Sequence, residues 1–153
     1  MYHPSLLFDR TPEERRDIFK SWARSDQAFF ASGACHILAD LFVQLHQHEG
    51  FRMVYIKPDS GLPGNHVYAS DGVWAFDYNG WTKENELLEI TEQAYAQKYP
   101  GWCYTKQIIG PSSGALEKFC KANNHRLAWQ FAHLPWERAY HYIGQFGEHP
   151  PTS

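Results

Sequence analysis

The feature of this sequence that most constrains its fold is a cysteine at the start of an amphipathic helix. A turn is predicted over 31–33, and apolar residues then recur at helical spacing until Glu49 and Gly50. The apolar positions are Ala34, Leu38, Leu41, Phe42 and Leu45. Cys35 falls in the first turn of this predicted helix, where backbone N–H groups lack partners and the helix dipole is positive. Both effects favour the thiolate, which is the reactive form of cysteine.

Further along the chain, an Asp-Gly pair at 71–72 predicts a β-hairpin that carries a histidine and an aspartate. Its two arms are predicted over 66–69 and 74–78. Residues placed symmetrically about the turn face each other, so we expect His66 and Asp77 to lie close together. An aspartate in that position fixes the imidazole tautomer and stabilises its protonated form. With the helix cysteine, the hairpin therefore supplies a candidate Cys-His-Asp series.

The remaining elements predict a single α+β domain. Thr11 and Glu14 form a capping-box pattern at the start of the first helix, and helices both precede and follow the strands. The other predicted elements are helices over 11–24, 84–98 and 112–123, strands over 51–56 and 102–109, and a weaker helical pattern over 126–143 that Pro135 interrupts. A chain of 153 residues without a linker or repeat indicates one domain over 1–153.

The cysteine helix and the hairpin resemble the core of the transglutaminase-like and papain-like cysteine enzymes. The segments that match the Gly-x-Cys helix, the His-bearing strand and the Trp-x-x-Asp strand of that superfamily are 32–42, 50–52, 65–68 and 72–77. The resemblance covers 32–79, which is under a third of the chain. It implies a papain-like or transglutaminase-like core in which the Cys-bearing helix packs on a small antiparallel sheet. It also implies that Cys35 is the nucleophile, His66 the base and Asp77 the residue that orients the base.

The activities of that superfamily define the function that the resemblance implies. Its members include peptidases, amidases, protein-glutamine deamidases, cross-linking transglutaminases and inactive binding modules, so the implied chemistry is attack on an amide carbonyl. Papain-type enzymes complete the oxyanion hole with a glutamine and transglutaminases with a tryptophan. Gln27 lies about one turn too far from Cys35, and Trp22 is a conceivable match that no other feature supports, which leaves the second oxyanion donor unassigned. The sequence also lacks the calcium-site acidic clusters of cross-linking enzymes, which favours hydrolysis or deamidation.

We therefore expect a cysteine-dependent hydrolase. The favoured activity is that of a thiol amidohydrolase, either a protein-glutamine deamidase or a peptidase, in a domain of a bacterial effector or toxin. The alternatives are a peptidoglycan amidase or endopeptidase, and a non-catalytic protein-interaction module of the same fold. The expected partners are a protein or peptide substrate and a cognate immunity or delivery protein.

Aromatic residues are the main candidates for the walls of a substrate cleft. They make up 16% of the chain, and Trp81 lies just beyond the second hairpin arm, where it could border a cleft with Asn79 and Trp102. His36 follows the candidate nucleophile, but successive side chains of a helix diverge by about 100°. We therefore expect His36 to line the cleft or support the structure rather than to contact Cys35.

No metal ion or other cofactor is predicted. His46 and His48 lie two residues apart, so they diverge on a helix and are better explained as solvated positions near its end. Cys103 and Cys120 show neither a CxxC pair nor the spacing of a zinc finger. Free structural thiols in a reducing compartment are the simplest interpretation of these two cysteines.

Charge and hydropathy weigh against two other classes of protein. A net charge of −3 and a pI near 6.3 give no basic surface for nucleic acid. A mean hydropathy of −0.55 argues against insertion into a membrane.

The start of the sequence does not resemble a signal peptide, because its first apolar run is short and is followed at once by charged residues. We therefore expect cytoplasmic synthesis, with delivery as an effector by a signal-peptide-independent route left open.

Overall fold

In a computed structural model that describes residues 1–151, the chain combines α-helices with one antiparallel sheet. The sheet has five strands in the order β4-β3-β2-β1-β5. Their bounds are β1 Arg52–Pro58, β2 His66–Ser70, β3 Trp74–Asp77, β4 Gly80–Lys83 and β5 Tyr104–Ile109. Every neighbouring pair is antiparallel. The mixed helix and sheet composition that the sequence predicts is confirmed.

Seven α-helices surround this sheet within the described residues. They are α1 Pro12–Arg16, α2 Ile18–Trp22, α3 Asp26–Ala31, α4 Cys35–Leu45, α5 Glu84–Lys98, α6 Ala115–Asn123 and α7 Trp136–Ile143. The capping box predicted at the start of α1 is confirmed, because Thr11 and Glu14 each accept a hydrogen bond from the backbone N–H of the other. None of the helices in residues 1–151 is both long and apolar enough to cross a lipid bilayer.

The N-terminal helical region is divided where the sequence predicts one helix over 11–24. Asp17 separates α1 from α2 and takes an extended conformation, with φ −110° and ψ 109°. Its carboxylate accepts hydrogen bonds from the backbone N–H groups of Phe19 and Lys20 and so caps α2. An aspartate side chain competes with helical backbone bonding in this way, and apolar periodicity does not register that competition.

The hairpin is confirmed, and it continues into a strand that the sequence analysis does not predict. Ala69 pairs with Phe76 across the Asp-Gly turn. Beyond the second arm, Gly80 has φ +76°, a conformation that favours glycine, and the chain reverses to form β4. A residue with a side chain at Gly80 would also collide with Phe146, whose ring lies 2.5 Å from the position of a Cβ atom.

Helix α4 packs on β1, β2 and β3, and this packing fixes the position of the cysteine at its start. Phe42 on α4 stacks on Phe76 of β3, with ring centroids 4.3 Å apart, and Phe51 and Trp81 pack around this pair. The apolar residues of α4 and of the inner strands form the main core. Burial of such aromatic rings contributes strongly to stability, so these contacts hold α4 against the hairpin.

Candidate active site

Cys35 is the first residue of α4 and lies at the edge of a cavity. The turn before it contains Gly33, with φ +116°, and Ala34 at the N-cap provides no side-chain hydrogen bond to the helix. Cys35 is 5% exposed and lines a cavity of about 360 Å³. The uncapped backbone N–H groups at this helix start are available to a negative charge at or near the sulfur.

His66 and Asp77 form a buried hydrogen-bonded pair, as the hairpin predicts. The Nε2 atom of His66 lies 2.9 Å from Oδ2 of Asp77, and the two side chains are 1% and 2% exposed. Because a carboxylate only accepts hydrogen bonds, Nε2 carries the proton. The same carboxylate accepts hydrogen bonds from the hydroxyl of Tyr2 at 2.7 Å and the backbone N–H of Asn79 at 2.9 Å. Three donors therefore compensate its burial and fix the orientation of the imidazole.

The remaining nitrogen of His66 is the one that can exchange a proton with Cys35. Within the described residues, the buried Nδ1 atom has no well-aligned hydrogen-bond partner. The Cys35 thiol is nevertheless close enough to affect the protonation of the imidazole. Burial lowers the pKa of His66, but its hydrogen bonds with Asp77 and then Cys35 outweigh burial and raise the pKa to about 9. Catalytic hydrogen bonds are often poorly aligned before substrate binds.

The protonation of Cys35 is shifted in the opposite direction. Burial raises the pKa of the thiol, but hydrogen-bonding interactions with His125, His36 and His66 overcome this effect and hold the pKa well below its ordinary value. Three imidazoles therefore stabilise a thiolate at this position. A cysteine with a lowered pKa beside a cavity is typical of a nucleophile rather than of a packing residue.

His36 contacts Cys35, which the sequence analysis does not predict. Its Nε2 atom donates a hydrogen bond to the carbonyl oxygen of Arg126 at 2.7 Å, and the side chain is fully buried. This bond orients the ring so that its Nδ1 atom, which has no well-aligned hydrogen-bond partner in residues 1–151, faces the cluster around the sulfur. The 100° separation of neighbouring helix positions describes the Cβ directions. It does not account for the length of an imidazole side chain or for an anchor on another segment.

His125 is a site residue that sequence reasoning missed. It follows α6 and its Nδ1 atom donates a hydrogen bond to the carbonyl oxygen of Asn123 at 2.9 Å, which leaves Nε2 free to act on Cys35. Burial lowers the pKa of His125, but hydrogen bonding to Cys35 gives a net rise. His125 lines the same cavity as Cys35. The only local signal was a histidine beside a helix end, where Asn124 has φ +60°.

Tyr2 is a second residue that the sequence analysis overlooked. Its side chain is 2% exposed and its hydroxyl contacts Asp77 as described above. The hydroxyl of Tyr78 lies 2.8 Å from that of Tyr2 and 2.6 Å from the carbonyl oxygen of His3. The first residues of the chain thus complete the environment of the aspartate. Because the contact spans 75 residues, no local pattern could have indicated it.

The residues proposed for the walls of a cleft lie in several places. Trp81 packs in the aromatic cluster of α4, and its indole N–H donates to the carbonyl oxygen of Gly147. Asn79 is half-buried, and its backbone N–H binds Asp77. Trp102 is 4% exposed and its indole donates to the carbonyl oxygen of Pro63, next to the cavity. His36, the fourth candidate, is enclosed beneath Cys35 as described above.

Three side chains of the cluster could hold a metal ion. One ligand atom each from Cys35, His36 and His125 lies within 4.8 Å of the other two. Both histidines donate their other ring nitrogen to a backbone carbonyl, which is the usual arrangement around metal-ligating imidazoles. Thiolate and imidazole are the ligands that Zn²⁺ prefers. The same donors that stabilise a thiolate are therefore suited to a zinc ion.

The other two cysteines lie in different environments. Cys103 is exposed, and its thiol donates to Asp59, whose carboxylate raises the pKa of the thiol. Burial raises the pKa of Cys120 to about 11. Both shifts disfavour the thiolate, so neither cysteine has the properties of a nucleophile. All three thiols are free.

Comparisons of the chain with protein-family models, with curated proteins and with solved structures found no match. The basis for assigning a function is therefore the chemistry of Cys35, His66 and Asp77 and of the cavity beside them.

Proposed function

We propose that this chain is a thiol amidohydrolase that uses Cys35 as nucleophile, His66 as base and Asp77 as the residue that orients the base. The observation that carries this proposal is the position of the His66 ring, with Nε2 bound to a buried carboxylate and Nδ1 left for the thiol. The lowered pKa of Cys35 and the raised pKa of His66 have the directions expected for a thiolate-imidazolium pair.

The proposed reaction has two steps. First, the Cys35 proton passes to Nδ1 of His66, and the sulfur forms a bond to the carboxamide carbon while the carbonyl oxygen takes up negative charge. The C–N bond then breaks as the leaving ammonia or amine receives the proton. In the second step, water gives a proton to the imidazole and its oxygen bonds to the thioester carbon. The C–S bond then breaks and the imidazolium returns its proton to the sulfur, which releases a carboxylic acid and regenerates the thiol. The uncapped N–H groups at the start of α4 supply hydrogen bonds to the oxyanion.

The order of the elements supports a papain-like or transglutaminase-like core as the scaffold for this reaction. The cysteine heads a helix, the histidine begins β2 and the aspartate ends β3, in the chain order of that superfamily. Members of the superfamily remove ammonia from glutamine side chains or cleave peptide bonds. We favour a protein-glutamine deamidase or peptidase of an effector or toxin, ahead of a peptidoglycan amidase or a non-catalytic module.

Alkylation of Cys35 by iodoacetamide tests the nucleophile without a known substrate. The measurement uses a Cys103→Ser, Cys120→Ser background, with a chelator present and peptide mapping to confirm the labelled residue. At pH 6 we expect Cys35 to react at least about tenfold faster than a model thiol, because each unit of lowered pKa retains about ten times more thiolate. Cys35→Ala is the matched control. A rate no higher than that of the model thiol contradicts the proposed enzyme.

Intact-mass analysis of candidate targets then identifies the type of product. Deamidation adds about one dalton to a target, peptide cleavage divides it, and cross-linking joins two chains. We expect the first or second change with the wild-type protein and neither change with Cys35→Ala. Muropeptides serve as the parallel substrate, and their cleavage in place of protein would favour the peptidoglycan alternative.

A metal site is the second candidate function, because Cys35, His36 and His125 place three ligand atoms together. Metal analysis of the purified, tag-free protein tests it directly. About one equivalent of zinc, lost in His125→Ala, would support this candidate. Metal-free protein that does not take up Zn²⁺ would remove it. A bound metal ion would block the sulfur of Cys35. Faster labelling of Cys35 with a chelator than without one would therefore indicate that the metal ion and the substrate compete for the same thiolate.

A further inference from the structure

The wall of the cavity beside the nucleophile carries a cluster of arginines. Arg10, Arg15 and Arg126 all line the cavity. Asp9 is the one carboxylate among the described residues of this wall. The arginine ion pairs found within residues 1–151 involve two other arginines, which leaves the three cavity arginines without an acidic partner in the described chain. The cavity therefore carries an excess of positive charge.

Arg10 is the arginine closest to the turn that precedes the nucleophile. A Cβ atom on Gly33 would lie 3.3 Å from Nη1 of Arg10, so the guanidinium packs directly over this turn. The Nε atom of Arg10 is buried and has no hydrogen-bond partner among the described residues. Burial, and then the charges of Arg126 and Arg15, lower the pKa of Arg10. A buried donor that is repelled by its neighbours is stabilised by an anion.

Arg126, another residue of the cavity wall, is anchored by hydrogen bonds of its own guanidinium. Its Nη2 atom donates to the carbonyl oxygen of Arg15 at 2.8 Å, and its Nη1 atom donates to the hydroxyl of Ser21 at 3.3 Å. Its own carbonyl oxygen binds His36, which contacts Cys35. One residue thus connects the arginine cluster with the imidazole cluster. The guanidinium of Arg126 is consequently fixed relative to the sulfur, whereas the side chain of Arg15 is exposed at the rim of the cavity.

We propose that this cavity is an anion-binding subsite, in which Arg10, Arg15 and Arg126 bind a carboxylate or phosphate group of the substrate. Guanidinium groups present paired N–H donors that match these oxyanions. With this anion bound, the acyl carbon of the same substrate lies at Cys35. The inference rests on the proposed function and specifies its substrate class, namely an amide with an anionic group close to the bond that is attacked.

Binding of inorganic phosphate tests the subsite independently of the thiol. Amide chemical shifts are followed by NMR as phosphate is added to the Cys35→Ala protein, at constant ionic strength. We expect saturable shifts at Gly33 and Asn124, both in the cavity wall, with at least about a tenfold loss of affinity in Arg10→Gln, since each arginine supplies a charge-assisted hydrogen bond. Acetate in place of phosphate shows which oxyanion is preferred. Shifts that do not saturate with either anion overturn the proposal.

Matched arginine variants show whether the effect is local. Arg15→Gln removes a cavity charge from an exposed position, so folding is not at risk, and we expect it to weaken phosphate binding too. Arg16→Gln removes the same charge from a separate surface depression and is the control. Equal loss of phosphate affinity in both variants would indicate only the general charge of the protein and would overturn the proposal.

A pair of alkylating reagents relates the subsite to the reaction. Iodoacetate carries a carboxylate and iodoacetamide does not. We expect the iodoacetate to iodoacetamide rate ratio at Cys35 to exceed that of a model thiol by about tenfold, because positive potential concentrates anions. The ratio should fall in Arg10→Gln and recover partly in Arg10→Lys. Phosphate binding with an unreactive Cys35 would refute the proposed enzyme alone. A reactive Cys35 without phosphate binding or iodoacetate preference would refute the subsite alone.

Discussion

Asp77→Asn is the substitution that most directly tests how the site controls protonation. The buried carboxylate of Asp77 accepts a hydrogen bond from His66 at 2.9 Å. Among the effects that raise the pKa of His66, this hydrogen bond is the largest. The rise from 6.5 to about 9 corresponds to roughly 3 kcal/mol in favour of the imidazolium, at 1.36 kcal/mol per unit. Asparagine keeps the shape of the side chain and removes its charge.

We expect Asp77→Asn to lower the pKa of His66 by roughly 1–3 units, which is the range for loss of an adjacent opposite charge. His66 is protonated below its pKa, so the imidazolium that wild type retains up to pH about 9 would be lost at a lower pH in the variant. Cys35 then loses a positive neighbour and its own pKa rises. The iodoacetamide rate at pH 6 should fall about tenfold for each unit of that rise.

The assay combines an NMR titration of the His66 ring with the labelling rate of Cys35 across the same pH range, both in the presence of a chelator. Glu89→Gln is the control, since it removes one negative charge from an exposed position of α5. Asparagine also turns an N–H donor toward Tyr2 or Asn79, which costs about 1–3 kcal/mol, so a urea titration confirms that the variant is folded. A His66 that titrates at the same pH in wild type and Asp77→Asn would refute the reasoning.

Three further predictions concern the surroundings of the site. Tyr2→Phe removes a hydrogen bond to the buried Asp77 carboxylate and should lower the unfolding free energy by about 1.5–3 kcal/mol; an unchanged urea midpoint would contradict this role. Cys103, although exposed, should react more slowly with iodoacetamide than Cys35 at pH 6, as measured by peptide mapping, and the reverse order would be inconsistent with the opposite pKa shifts of the two thiols. Gly64→Ala forces alanine into φ +114° against two aromatic rings within 3.1 Å and should destabilise the fold by at least about 1–3 kcal/mol; full stability in thermal unfolding would show that the loop adapts.

The elements that carry Cys35, His66 and Asp77 could be predicted because their signals are local. Apolar spacing defines α4, and an Asp-Gly turn defines the register of the hairpin within a few residues. The strand β4 follows from a reversal at Gly80, where positive φ and the approach of Phe146 both depend on tertiary packing. Elements were thus predictable where short-range periodicity dominates and were missed where the conformation depends on a distant side chain.

The rest of the candidate site could not be predicted because it is assembled from distant segments. His125 follows α6 and interacts with Cys35, and Tyr2 lies near the N-terminus and contacts Asp77. Both contacts join residues that are far apart in the sequence. Arg10 lies before the first helix and packs over Gly33. Such contacts are set by how helices pack on the sheet, which neither propensity nor spacing specifies. A single sequence therefore indicates the three reacting groups but not the residues that tune them.

The balance of charge links the nucleophile to the proposed subsite. A thiolate at Cys35, an imidazolium at His66 and the carboxylate of Asp77 together carry one negative charge in a buried region, and burial of an unbalanced charge is costly. The pKa of Arg10 is lowered overall by burial and by its arginine neighbours, and its attraction to Cys35 partly offsets this lowering. The same attraction favours the thiolate. The wall has three arginines against one aspartate, so positive charge remains after the triad is balanced. This remaining positive charge destabilises the empty cavity, and a bound anion would neutralise it. The ion-pair form of the triad and an anionic substrate are therefore mutually consistent.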